Sequence, residues 1–251
     1  MFKRLLPFIA ALILLGLNQV FFFYPSFFFS ALALGALVIV FGTRYLARQK
    51  AFAYWPIFLI APLLFFFSAS LYASLLAGRF WVQLIFLLDA VFAAAYLNNL
   101  YYYFSEPNLA RQEKLERLTL SGAWLTTFAL GASLFGLPVF LDWPFSVLLA
   151  LFCLAVLLSW LPFLFFASAK VKSAAPVFII SLAIVALLGE ALSLLPLNFN
   201  ILGFMAAIFA YFLLTINRLH WSQRLNRQSL KWPLIFSLIL IIISLLTARW
   251  L

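Results

Sequence analysis

Charge is scarce in this sequence. Only 9% of its 251 residues are charged and 68% are hydrophobic, where a soluble domain carries about 25% charged and roughly 45–50% apolar residues. So few polar side chains cannot cover a water-exposed surface of this size, which excludes a soluble globular fold. A single cysteine, Cys153, leaves no intrachain disulfide and no cysteine metal cluster. A single histidine, His220, rules out an H-E-x-x-H pair and a His-based metal site, and its place in a polar connection rules out a Ser-His-Asp triad in the membrane. The absence of a G-x-x-x-x-G-K-[ST] loop excludes an ATP-driven pump working alone, though not the membrane subunit of one.

What the sequence has is long apolar runs. A bilayer core about 30 Å thick needs roughly 20 apolar residues of helix, and cutting the chain at charges and at Pro, Gly and Asn clusters gives nine such segments: 5–23, 27–43, 54–77, 80–103, 118–141, 144–167, 174–195, 199–216 and 232–248. None alternates apolar and polar residues as a barrel strand does. The expected fold is therefore an all-α, polytopic bundle forming a single transmembrane domain over residues 1–251, with no extramembrane domain. Lys3, Arg4 and the run after them resemble a signal peptide, with Ala31, Leu32 and Ala33 as a cleavage pattern. The apolar stretch exceeds the 7–15 residues of an ordinary signal core, so an uncleaved first span is expected.

Basic residues give an independent reading of orientation. With the N-terminus inside, only Arg79 and Arg249 of the sixteen Lys and Arg fall outside. One span more or fewer would mix the two classes, so the separation supports both nine spans and a C-terminus on the outer side, in the cell membrane. Trp and Tyr cluster at the expected interfaces, Trp81 and Trp143 at the outer one and Tyr101, Tyr102, Tyr103, Trp221 and Trp232 at the inner one. Pro62 and Pro162 lie inside their spans, where kinks are expected. The net charge of +10 is spread over the cytoplasmic connections, which points to anionic lipid headgroups rather than nucleic acid.

Ionisable groups in hydrocarbon are costly, about 2.5–3.5 kcal/mol for Asp at a helix centre, and mark function by default. Asp89, near the middle of span four, and Glu190, near the outer end of span seven, are candidate proton, cation or substrate sites, weighed against a role in helix packing. Ala93 and Tyr96 share the face of Asp89, with Tyr103 further along, so Tyr96 joins it as a candidate. Around Glu190, the small residues Ala183, Ala186, Gly189 and Ser193 would let another helix approach closely. Asn18, Gln19, Asn198 and Asn200 lie at a similar depth, which suggests a polar cluster towards the outer leaflet. Arg79 is a candidate partner for either acid.

Outside the spans, 105–117 reads as a short helix starting at Ser105, Glu106 and Pro107, with Glu113 and Arg117 paired at i,i+4. His220, Arg224, Arg227 and Lys231 would line one side of a helix as a basic stripe; they are candidate contacts for anionic lipid on the cytoplasmic side. Small-xxx-small pairs, Ala129 with Ser133, Ala132 with Gly136, Gly203 with Ala207 and Ala206 with Ala210, mark helix contacts in spans five and eight. Inverted repeats of four spans about span five find no support, because span nine has no counterpart of Asp89.

Three functions fit these residues. One is a small transporter or permease using Asp89 and Glu190. Another is a noncatalytic membrane subunit or assembly factor, with a membrane-protein partner or a second copy. The third is an enzyme acting on lipid-linked substrates, which would need the basic stripe to meet Glu106, Glu113 or Glu116. No cofactor and no metal are expected, and an enzyme is the least favoured of the three.

Overall fold

A computed structural model describes residues 2–47, 55–167, 171–223 and 225–247. Among the described residues there are nine helices long and apolar enough to cross a bilayer: α1 (Phe2–Phe23), α2 (Phe28–Ala47), α3 (Trp55–Ser74), α4 (Arg79–Ser105), α5 (Leu109–Leu141), α6 (Phe145–Phe166), α7 (Val171–Ser193), α8 (Phe199–Trp221) and α9 (Arg227–Thr247). No strand occurs among these residues. The protein is an all-α, multi-pass membrane protein. Each helix follows one expected span, and Tyr54 and Ala248, at the edges of two spans, lie outside the described residues.

The chain divides into two compact units, Met1–Gly122 and Ala123–Leu251. In the first, α1 lies against α2 and α4, and α2 and α3 each also lie against α4. Lipid is as apolar as leucine, so these helices are held by close packing and interhelical hydrogen bonds rather than by escape from water. Two glycines provide that packing. The ring of Phe66 on α3 fills the space over Gly35 of α2, and the ring of Phe92 on α4 fills the space over Gly122 of α5. Phe21 meets Phe86 edge to face at 5.1 Å and Phe65 meets Phe92 at 4.7 Å.

In the second unit α6, α7 and α8 pack on one another and α9 lies along α8. The remainder of α5 crosses α8 with backbones nearly touching: a Cβ added to Gly203 would stand 2.6 Å from the Cα of Ala132. Ala132, Ala206, Ala207 and Ala210 are buried, in keeping with the contacts read from small-residue spacing. Some buried serines and threonines return their hydroxyls to their own helix, as Thr127 does to the Ala123 carbonyl at 2.7 Å and Ser133 to that of Ala129 at 2.8 Å.

Pro62 and Pro162 lie buried inside α3 and α6. Two local expectations change. The helix expected to start at Ser105 starts at Leu109, because α4 runs on to Ser105 and the Asn108 side chain caps α5 by accepting from the Arg111 amide at 2.8 Å. The segment carrying the basic stripe is not one helix. It breaks after Trp221, with Gln223 at φ 55°, and restarts at a reciprocal cap in which Asn226 accepts from the Ser229 amide at 2.6 Å and Ser229 accepts from the Asn226 amide at 3.0 Å.

Candidate functional site

Asp89 sits ten residues into α4, which at 1.5 Å per residue is about 15 Å from the helix start. That depth is half of the roughly 30 Å hydrocarbon core. Its side chain is 1% exposed, so it is enclosed by protein rather than by lipid. The enclosure is polar on one side. Asn18 of α1, also 1% exposed, donates from Nδ2 to the Asp89 carboxyl at 3.1 Å, and Ser70 of α3 donates to the Asn18 Oδ1 at 3.5 Å. Three helices thus contribute one group each to a buried carboxyl–amide–hydroxyl chain. Asp89 has no basic residue at ion-pair distance among the described residues; the two ion pairs, Arg111 with Glu106 at 3.9 Å and Arg117 with Glu113 at 4.0 Å, lie on exposed surface. Arg79 is exposed at the start of α4 and makes neither pair.

Towards the end of the unit where α1 stops and α4 begins lies a second, separate pair. Gln83 donates from Nε2 to Gln19 Oε1 at 3.2 Å and the Gln19 amide returns a hydrogen bond. Both glutamines are half-buried, so the polar groups run from a partly open pair inward to the sealed carboxyl. Gln19 and Asn18 are neighbours in sequence, and together they tie α1 to α4 at two levels.

In the other direction α4 carries Tyr96, Asn99 and Tyr103 at seven, ten and fourteen residues beyond Asp89, close to one face at the helical period. Tyr96 is completely buried and its hydroxyl finds no hydrogen-bond partner of good geometry among the described residues, with Thr119 of α5 as its polar neighbour. Thr119 turns its own hydroxyl to the Leu115 carbonyl at 2.9 Å. Thr43 of α2 is likewise buried without a partner for its hydroxyl. Asn99 gives its amide to the Ala95 carbonyl at 2.7 Å, and Tyr103 is half-buried near the end of the helix. The otherwise apolar buried face of α4 thus carries polar groups at Asp89, Tyr96 and Asn99.

The structure brings Asn18 to Asp89 and Gln19 to Gln83, and α7 carries the other candidate acid, Glu190. That residue lies in the last turn of α7 in the second unit, and its side chain is exposed. Of the small residues expected to pack beside it only Gly189 is buried, under Leu149 of α6; Ala183 and Ser193 are exposed, so the close helix contact expected around Glu190 reduces to that one glycine. Asn198 instead caps α8, accepting from the Asn200 amide at 2.9 Å. Ser70 and Gln83 went unnoticed in the sequence reading. Gln83 carries a usable signal, an uncharged polar side chain inside an apolar run on the helix that bears the acid.

The basic candidates end on different elements. His220 is exposed in the last turn of α8, Arg227 and Lys231 are exposed at the start of α9, and Arg224 lies outside the described residues. In the second unit Asn217 of α8 donates to Ser181 of α7 at 2.9 Å, and the rings of Phe178 and Trp221 meet at 4.9 Å. Among the described residues no three of His, Cys, Asp and Glu come together. No protein-family model matches the chain, and comparison with curated proteins and with solved structures gives no match.

Proposed function

We propose that this multi-pass protein is a small proton-linked carrier of the cell membrane in which Asp89 is the proton site. The observation that carries the reading is a carboxyl enclosed at mid-membrane depth by neutral groups from two other helices, with no cation beside it. A group so placed is expensive to insert and is kept where its protonation has a use. The polar groups on one side of α4 support the same reading, because Asp89, Tyr96, Asn99 and Tyr103 set a carboxyl, hydroxyls and an amide in succession along it. Exchange of a proton at Asp89 changes what the Asn18 amide donates to, which links the charge state of α4 to its contact with α1.

The test is an acid-minus-alkaline infrared difference spectrum of the protein in lipid vesicles. A carboxyl C=O band that titrates and disappears in Asp89→Asn is expected. Superimposable spectra for wild type and Asp89→Asn would overturn the assignment.

A second reading, a noncatalytic membrane subunit, draws on the completeness of that same enclosure. A sealed hydrogen-bonded carboxyl suits a residue that fixes which helices associate. In that case Asp89→Asn keeps the protein's partners in mild detergent and no proton is exchanged.

A further inference from the structure

We propose that the groove between α1 and α2 holds one acyl chain of an anionic lipid, with the headgroup phosphate resting on Lys3 and Arg4. The groove has a volume of about 520 Å³, within the roughly 300–1,000 Å³ of small-molecule sites. Its walls are Leu6, Ile13 and Leu17 of α1 and Leu34, Leu37 and Tyr45 of α2, with further aliphatic and aromatic side chains between them. Every lining residue is apolar except Tyr45, so the space offers nothing to water. Both helices cross the bilayer, and Ile13, Leu34 and Leu37 are exposed, so what they meet is hydrocarbon.

Length identifies the occupant more closely. From Leu6 to Leu17 the groove follows eleven residues of α1, about 16 Å at 1.5 Å each. One leaflet is half of a hydrocarbon core about 30 Å thick, or about 15 Å. The groove is one leaflet deep and takes a single chain end to end.

Charge then sets its direction. At the Leu6 and Tyr45 end Lys3 lies with its ammonium 5.6 Å from the Tyr45 ring, and Arg4, one residue on, is exposed and bonded to the Tyr101 hydroxyl. Arg44 is exposed beside Tyr45 on α2. The opposite end, at Leu17 and Leu34, has no charged residue next to it in sequence on either helix. An apolar slot with cations at one mouth alone complements an amphiphile with one anionic head, and Lys and Arg donors suit a phosphate oxygen.

The experiment is native mass spectrometry of the full chain released from nanodiscs containing equal amounts of phosphatidylglycerol and phosphatidylcholine with identical chains. One phosphatidylglycerol retained per protein, in about tenfold preference over phosphatidylcholine, is expected. Leu37→Trp fills the groove and should abolish retention of either lipid, with Ile13→Trp as a second variant reading the same space. Lys3→Gln should bring the two lipids to equal retention. Circular dichroism of each variant establishes that it is folded. Equal retention of the two lipids by wild type, or undiminished retention by both folded tryptophan variants, would overturn the proposal. So would displacement of the lipid by inorganic phosphate alone, because the anion would then be bound without its chain.

Discussion

Replacing Asn18 with leucine removes the one side chain that donates directly to the Asp89 carboxyl, at 3.1 Å, while keeping the volume of a residue that is 1% exposed. The lost interhelical bond is worth about 0.6 kcal/mol on average and about 1.7 at most in membrane proteins. The carboxyl left behind costs more, about 1–3 kcal/mol for a buried polar group without a partner. Ser70 offers little relief, because its contact is with Asn18 and at 3.5 Å lies at the long limit of hydrogen bonding. Asn18→Leu should therefore destabilise the protein by about 2 kcal/mol, whereas Asn18→Leu with Asp89→Leu removes both partners and restores most of the loss. The double-mutant cycle should show a coupling of about 1–2 kcal/mol, read from equilibrium unfolding in mixed micelles by the fluorescence of the eight tryptophans. Single effects that add to within about 0.5 kcal/mol would refute a coupled pair.

Gly203→Ala should destabilise the second unit by about 1–3 kcal/mol, because its new Cβ meets the backbone of Ala132, which cannot rotate away. Gly16→Ala, where nothing stands within 4 Å of the added carbon, should gain up to about 1 kcal/mol instead; the same unfolding assay compares them. Tyr96→Phe deletes a buried hydroxyl with no hydrogen-bond partner of good geometry, so stability should change by less than about 1 kcal/mol. If α4 carries a proton path, this variant slows the response of the Asp89 infrared band to a pH jump while leaving its amplitude intact.

How the helices could be read from the sequence follows from bilayer thickness. An apolar run of 20 residues has one stable solution in lipid, so every span appeared as a helix. The ends were less legible wherever a helix continues into polar sequence. α5 begins nine residues before its apolar run because Asn108 caps it, and α8 continues to Trp221 past the point where Arg218 and His220 end the hydropathy signal. The helix break within the basic stretch was not legible, because spacing alone does not reveal Ser222 and Gln223 as a break; the positive φ at Gln223 and the Asn226 cap do.

For the candidate site, depth was legible and partnership was not. Asp89 and Asn18 announce themselves as polar residues inside apolar spans. Their contact across 71 residues of chain depends on α1 and α4 being neighbours, which no local pattern encodes. Glu190, nearer the end of its span, is also a carboxyl in an apolar run, yet its side chain is exposed on α7.

The proposed topology has nine crossings that begin on the inner side, and sidedness of thiol labelling tests it directly. With Cys153 replaced by alanine, Glu106→Cys in the α4–α5 connection and Trp143→Cys in the α5–α6 connection each place one exposed thiol at opposite ends of α5. In intact cells a membrane-impermeant maleimide should label residue 143 and leave residue 106 untouched until the membrane is opened. Labelling of both from the same side would contradict this topology, because α5 would then not cross the bilayer.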